Sequence, residues 1–504
     1  LGLRFEAQRC LENPGRFNGR RPSQIGEGIP QIPINFLLQL CAKHASGKKP
    51  YRGDERSWRE LIALSTDYAA LFDVQPYSTF GLLFKDTWTL VPFLQELALY
   101  DSLFTITQTR PSDVMKLLRG LLGWLDPDQK RGIGWTLNDL FAVGNAILSS
   151  GGSRGSSFIS HTSIAARCSG VDARIVKFAL DEVFSHALPG ANQRFNKPTD
   201  APEDALPREQ RSGHDFFERP LLASRDGGLM LFEKALAAPA IIEAVFTVLR
   251  STKLKNFESL VGEEMEHFLR QELGAHGIAA LQGDYDDSLG SHGECDIVIE
   301  CPDTVIFIEM KKQPLTRKAQ AGSDTALLMD MAASLLHAQL QAGWHEVRIR
   351  RDGFLLLEKD GQRRRVDLNG RAIERIAVTL FDYGGFQDRT LLQQFLQAQL
   401  AAGYSPVDPA LNAKFDKINA QLEELRTQIA QLQSLVGGRG EAARFFNCWF
   451  LSIPQFLVLL DGVDSPATLR LALWNTRHTS LGTLDFYFEH AHMKQLKAVG
   501  GGTR

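Results

Sequence analysis

Asp296 and, thirteen residues on, the pair Glu309-x-Lys311 are the side chains in this sequence whose types and spacing could do chemistry. Residues 295–301 are β-branched or apolar except at Asp296 and Glu300. Residues 304–310 are almost wholly apolar up to Glu309, and Pro302-Asp303 between the two runs is turn chemistry. The pattern predicts two short strands joined by a tight turn. Side chains alternate along a strand, so Glu309 and Lys311 leave the second strand on one face, at its end, and Asp296 can face the same spot. Two carboxylates and an ammonium beside an apolar core cost several kcal/mol if left unpaired. A hard divalent cation, Mg2+ or alternatively Mn2+, would offset that cost and, beside a lysine, supply what phosphodiester hydrolysis needs. The same three residues would also suit a solvated hairpin end carrying a surface ion pair.

The elements around the hairpin favour the chemical reading. Residues 257–275 carry Leu260, Val261, Met265, Phe268, Leu269 and Leu273 at helical spacing, with Gly274 and Gly277 to end the helix. Glu266 stands at the border of that apolar stripe and is the acid expected to join the site, with Glu263 and Glu264 as rivals. Residues 319–342 read as the following helix, 345–350 as a further strand, and 373–381 as another, with a turn at Asp382-Tyr383-Gly384-Gly385.

Helix with Glu266, strand with Asp296, turn, apolar strand ending Glu309-x-Lys311, helix: this order resembles the PD-(D/E)XK, or restriction-endonuclease-like, superfamily, and Gly262-x-x-x-Glu266 is similar to its helix motif. The resemblance implies a mixed sheet flanked by helices and Mg2+-dependent hydrolysis of nucleic acid, most often DNA, with RNA left open. By position, it implies that Asp296, Glu309 and Glu266 bind the metal and that Lys311 orients or helps deprotonate the attacking water. It covers fewer than a third of the residues and does not choose among the restriction, repair, recombination and mobile-element roles of the superfamily.

With 504 residues, 44% hydrophobic and 23% charged, the chain has room for several domains of ordinary globular composition. A formal net charge of −3 gives no whole-chain attraction to nucleic acid, so binding must come from local patches. Between Glu309 and Val366 eleven Lys or Arg stand against seven Asp or Glu. Lys312, Arg317, Lys318, Arg348, Arg350, Arg363 and Arg364 are the expected phosphate contacts. For 363–365 a charged sheet edge that resists aggregation is an equal alternative. Six cysteines without CxxC pairs argue for reduced thiols, a cytoplasmic location and no zinc site, with Cys295 and Cys301 expected in the core. The chain opens at Leu1 without a basic, apolar leader and without an initiating Met, which leaves open a natural protein that begins further upstream.

The expected fold is multidomain α+β: a mostly α-helical N-terminal region, a central α/β/α domain with a mixed sheet, and a C-terminal coiled-coil and helical region. Residues 1–30 read as a surface arm, and the apolar spacing from 32 to 149 as successive helices. Residues 160–184, closing a domain over 1–185, have helix-turn-helix character, with Arg174 and Lys177 as candidate DNA contacts or, alternatively, form a plain helical hairpin. Residues 186–251 read as a linker, a hairpin around Asp226-Gly227 and a helix; the nuclease-like unit runs over 252–399.

Leu411, Phe415, Ile418, Leu422, Leu425, Ile429, Leu432 and Leu435 make a heptad stripe in a coiled coil over 409–436, either a homodimer seam or one helix of an intramolecular bundle. Residues 441–504 read as a C-terminal helical region, in which 445–460 form a buried helix rather than a membrane span. The function expected is a bacterial, cytoplasmic endonuclease acting against foreign DNA. The alternative is a non-enzymatic DNA-binding or oligomeric scaffold using the helix-turn-helix-like segment and the heptads.

Overall fold

A computed structural model of the chain describes residues 33–44, 55–71, 90–105, 109–150, 157–186, 218–224, 227–231, 234–252, 254–436, 444–477 and 484–500. The expected arm over 1–30 and most of the linker lie outside them. The chain is mixed α/β and divides into two compact units, Leu1–Pro76 with Ala98–Glu264 and Tyr77–Leu97 with Met265–Arg504. Among the described residues no helix is long and apolar enough to cross a membrane.

The first unit is helical around a small mixed sheet. Helices Ile34–His44, Glu55–Ala70, Val114–Leu121 and Leu137–Ser150 fulfil the apolar spacing of that region. Helix Lys234–Ser251 is apolar on nearly every side and correspondingly buried, from Ala235 through Leu249. Strands β1 (Ser157–Ile159), β2 (Ser185–His186), β3 (Leu221–Ala223) and β4 (Leu229–Leu231) pair in the order β1-β4-β3-β2. β3 and β4 form the expected hairpin. The helix-turn-helix-like segment folds as His161–Ala165, a turn with Gly170 at φ 91°, and Ala173–Phe178. Asp172 caps the second helix by accepting from Arg174 N, and Val176 and Leu180 are buried behind it.

The second unit is built on a seven-stranded sheet. Its strands are β5 (Leu281–Asp286), β6 (His292–Glu300), β7 (Thr304–Lys311), β8 (Phe354–Lys359), β9 (Gln362–Asp367), β10 (Ala372–Thr379) and β11 (Cys448–Ser452), in the order β11-β10-β7-β6-β5-β8-β9. β7, β10 and β11 run parallel and the remaining pairs antiparallel. β7 is buried along its length except at Lys311, as its continuous apolar run requires. Asp360-Gly361, both at positive φ, close the β8–β9 hairpin with the backbone that a two-residue turn of the primed kind demands. Cys295, Cys301 and Cys448 are free, buried thiols.

Two sequence expectations are corrected here. Residues 345–350 form no strand; they continue helix His337–Asp352. The alternation His-Glu-Val-Arg-Ile-Arg mimics a strand because this helix is covered by the sheet on one side and by helix Asn412–Val436 on another, which leaves no clean polar face. Residues 445–460 are not one helix: β11 comes first, and Ser452 then starts helix Ile453–Leu459 with a capping box to Gln455 and Pro454 in the first turn.

The heptad stripe, finally, is used within the chain. Phe415, Ile418, Leu422, Leu425 and Ile429 are buried, Gln428 Nε2 donates to Leu340 O at 2.8 Å, and Trp344 Nε1 donates to Glu424 at 2.6 Å. This is the intramolecular use of the stripe; Leu411 and Leu432 stay half-buried and Leu435 exposed. Gly343 makes the close approach possible, since a Cβ there would collide with the Gln428 amide and the Arg375 guanidinium.

Candidate active site

β6 and β7 position the acidic pair. Their ladder ends in the pair Ile297–Ile308, so the next opposed residues are Asp296 and Glu309, whose side chains leave the same face of the sheet. The two carboxyl groups stand close enough for each to shift the other's ionisation, and Asp296 Oδ2 accepts from Met310 N at 2.8 Å. Lys311 Nζ lies 3.8 Å from Glu309 Oε2 and donates to Met310 O at 3.0 Å. Glu309 is fully buried, and its Oε2 has no hydrogen-bond donor.

Burial and mutual repulsion set the protonation of these acids. Burial, then the Glu309 charge, pushes Asp296 up to about 7. Burial also pushes Glu309 up to about 7, against the pull of Lys311. Glu266 on helix Phe257–Ala275 is raised to about 7 by burial and by Asp296, with Arg270 opposing. Glu266 is therefore the helix acid that feels the strand pair. Its rival Glu263 is exposed, and Glu264 stands against Gly123.

Behind Glu309 lies a relay that no local sequence pattern signals. His345, from helix His337–Asp352, places Nε2 2.9 Å from Glu309 Oε1 and Nδ1 2.6 Å from the Tyr285 hydroxyl. Arg348 donates to that hydroxyl at 2.8 Å and pairs with Asp287 at 3.2 Å. Since the Tyr285 oxygen accepts from Arg348, its proton is directed to Nδ1, and Nε2–H is left to donate to the carboxylate. Burial, then the Arg348 charge, holds His345 well down, at about 3, so the ring is neutral.

No protein-family model, curated protein or solved structure matches this chain.

The donor set fits a hard cation in part. Among the described residues no group of three or more His, Cys, Asp or Glu side chains is gathered closely enough to hold a metal ion. Of the three expected ligands, Asp296 and Glu309 are the pair in contact, and Glu266 is linked to them by charge, Asp296 raising its value. Two carboxylates suffice for an ion such as Mg2+, which keeps several waters and takes substrate oxygens. The undonated Oε2 of Glu309 beside Asp296 is the kind of buried oxygen such an ion satisfies.

The basic residues divide into groups. Lys312 is exposed one residue past Lys311, and Arg317 and Lys318 are half-buried at the start of the next helix. Arg348 is not a phosphate contact in this geometry; its charge is spent on Asp287 and Tyr285, with its side chain 12% exposed. Arg350 pairs with Glu346 at 2.8 Å. Arg363 and Arg364 lie on β9, the edge strand, four strand spacings or about 19 Å from β7. Arg363 is paired with Glu358 across the hairpin, and the edge reading of 363–365 accounts for all three arginines.

Proposed function

We propose that the second unit is a PD-(D/E)XK-type nuclease domain that hydrolyses phosphodiester bonds of DNA with Mg2+, or Mn2+ in its place. The observation carrying this reading is the buried contact between Asp296 and Glu309 on opposed strands, with Lys311 Nζ 3.8 Å from the second carboxylate. The element order around it supports the reading: a helix bearing Glu266, the β5-β6-β7 meander, a long helical stretch, the β8–β9 hairpin, and β10 parallel to β7.

Asp296 and Glu309 would hold the cation, which when bound supplies Lewis-acid stabilisation of the phosphate and a nucleophile at neutral pH. Lys311 presents an ammonium to the charge that develops on the phosphate. Glu266 adds negative charge next to Asp296 and strengthens the demand for a cation. His345 holds Glu309 by one oxygen and leaves the other for the ion.

The test is cleavage of supercoiled and linear duplex DNA, and of RNA of the same sequence, in Mg2+, in Mn2+ and in chelator. Glu309→Gln and Lys311→Ala should each lower cleavage by about a hundredfold or more while the thermal transition persists. Undiminished cleavage by both variants would remove the two residues from the reaction.

A second reading has one observation in its favour. Arg174 projects from the second helix of the 161–178 segment with 93% of its side chain exposed, as a DNA-binding contact would require. Arg174 has only the loose, exposed pair with Asp172 at 3.7 Å, whereas Lys177 is closely engaged by Asp181. If duplex DNA is bound with or without Mg2+, is never cut, and is released by Arg174→Ala, the chain is a binding protein and not a nuclease.

A further inference from the structure

Directly after Lys311, within the second unit, residues 313–316 are held by a clasp. Asp330, near the end of helix Asp324–Met331, is only 5% exposed and accepts three hydrogen bonds from this short stretch. Gln313 Nε2 donates to its Oδ1 at 2.9 Å, and Thr316 donates twice to its Oδ2, from N at 2.8 Å and from Oγ1 at 2.7 Å. From another side the Tyr383 hydroxyl donates to Gln313 O at 2.7 Å. Thr316 in turn caps the short helix Arg317–Gln320, accepting from Ala319 N. Asp330 is itself fixed by Ser334, whose Oγ donates to Asp330 O at 2.6 Å inside the π-helical turn Ala332–Leu336, a local irregularity that recurs at functional sites.

A buried carboxylate is a costly way to close a loop. Burial pushes Asp330 up, the bonds from Thr316 and Gln313 pull it down, and among the described residues no cation pairs with it. All the partners of its carboxylate lie in the four residues between Lys312 and Arg317, so what it fixes is the place of the basic side chains on either side. Lys312 is exposed, and Arg317 and Lys318 are half-buried. All three follow within seven residues of Lys311, at the end of the strand that carries Glu309. Positive side chains held in one arrangement beside a pair of carboxylates suit the phosphates that flank a phosphodiester bound at that pair, and a strap ordered in advance loses little entropy on binding.

We infer that residues 312–318 form a strap that binds the DNA backbone next to the acidic pair, and that Asp330, assisted by Tyr383, is the positioning residue that holds it there. Asp330 acts through the strap and touches neither substrate nor metal. The inference rests on the nuclease reading for the site that the strap serves, but it is measured by binding and needs no cleavage. Asparagine can keep the clasp: its oxygen takes the Thr316 bonds, and its amide donates to the Gln313 oxygen once the Gln313 amide turns over. Alanine removes all three bonds.

The experiment uses the full-length chain and a short labelled DNA duplex with Ca2+ in place of Mg2+, follows binding by anisotropy over a salt series, and measures cleavage in Mg2+ alongside. Limited trypsin digestion reports on the strap through the peptide bonds after Lys312, Arg317 and Lys318. Asp330→Ala should be nicked there faster than wild type, bind the duplex about tenfold more weakly, and lower the steepness of the log–log salt dependence by about 1–2. Its KM should rise with kcat kept within about twofold, as loss of binding in ground and transition states alike requires. Asp330→Asn should return each readout to near the wild-type value. If Asp330→Ala does not fold, Tyr383→Phe, which removes one hydroxyl, and Gln313→Ala carry the same comparison. The inference is overturned if the wild type does not bind the duplex, if no folded variant is nicked faster, if a freed strap leaves binding unchanged, or if Asp330→Asn weakens binding as much as Asp330→Ala. A wild type that binds through the strap and cuts in neither Mg2+ nor Mn2+ sinks the nuclease reading and leaves the strap standing.

Discussion

His345 Nε2 sits 2.9 Å from Glu309 Oε1, and neither side chain exposes more than 3% of its surface. A neutral ring donating to a buried carboxylate favours the ionised form of that carboxylate and fixes which oxygen faces the lysine. Removing the donor should therefore raise the pH at which Glu309 ionises. His345→Gln keeps a donor; His345→Ala does not. The alanine variant is expected to cut more slowly, to need more Mg2+, and to shift its pH–rate midpoint upward relative to wild type, with the glutamine variant in between. An alanine variant with an unmoved midpoint would reduce His345 to a packing residue.

The proposed cleavage should depend on pH through the same acids. Asp296, Glu309 and Glu266 are all raised to about 7, Asp296 and Glu309 by burial first and Glu266 by burial and then Asp296. Their ionised forms are the ones that take a cation. Activity at low Mg2+ should rise with pH through about 7 as apparent values of the coupled group rather than of any one residue. Raising Mg2+ should move the rise to lower pH, because the ion competes with protons. A flat profile from pH 5 to 8 at limiting Mg2+ would contradict the assignment.

Stability without a divalent cation should run in the opposite direction. A carboxyl whose folded value lies above its unfolded value binds more protons when folded, so its contribution is complete below about pH 4 and is lost as pH rises toward about 7. In chelator, Glu309→Gln should melt about 2–4 °C higher than wild type near pH 8 for each kcal/mol of relief, and close to wild type at pH 4. Added Mg2+ should raise the wild-type transition and leave that of the variant in place. These are readable by differential scanning fluorimetry over a pH series.

Arg348 and Arg364 carry the same charge and should behave differently. Arg348 donates to the Tyr285 hydroxyl and to His292 O and shares Asp287 with Arg351, so Arg348→Ala should destabilise by about 1–3 kcal/mol through the lost donors and packing, Arg351 still neutralising Asp287. Arg364 is exposed on β9, and Arg364→Ala should change stability by less than about 0.5 kcal/mol. If the edge is not a nucleic-acid surface, the Arg364 variant should also leave the salt dependence of DNA binding unaltered. A shallower salt slope would return 363–365 to the interface.

The stripe on helix Asn412–Val436 gives a further test. Leu422 and Leu425 are fully buried against the chain's own helix and neighbours. Leu425→Glu should unfold or loosen the second unit, with a lower melting temperature at every protein concentration, instead of converting a dimer to a monomer. A clean change in oligomeric mass by light scattering with an unmoved melting temperature would restore the seam between chains.

The stretches legible in the sequence are those where one local period decides the structure. Helix Phe257–Ala275 matches its apolar spacing to the residue, and strands β6 and β7 follow from alternation and the Pro302-Asp303 turn. Within that hairpin, opposition of Asp296 and Glu309 and the nearness of Lys311 are consequences of pleat and turn length alone. Two further signals were present and are local: Asp360-Gly361 marks the β8–β9 turn, and Ser452 with Pro454 and Gln455 marks the start of a helix.

What only the tertiary structure decided is who covers whom. A period tells which face of an element is buried and is silent about what buries it, so the heptads of 412–436 described a stripe whose partner turned out to be helix His337–Asp352. The same helix reads as a strand at 345–350 because it is enclosed on two sides, by the sheet and by helix Asn412–Val436, which begins more than 60 residues further along the chain. His345 reaches Glu309 across 36 residues, and the β5-β6-β7 order places Tyr285 beneath both. Contacts of that kind depend on chain closure over long loops, which no short stretch of sequence encodes.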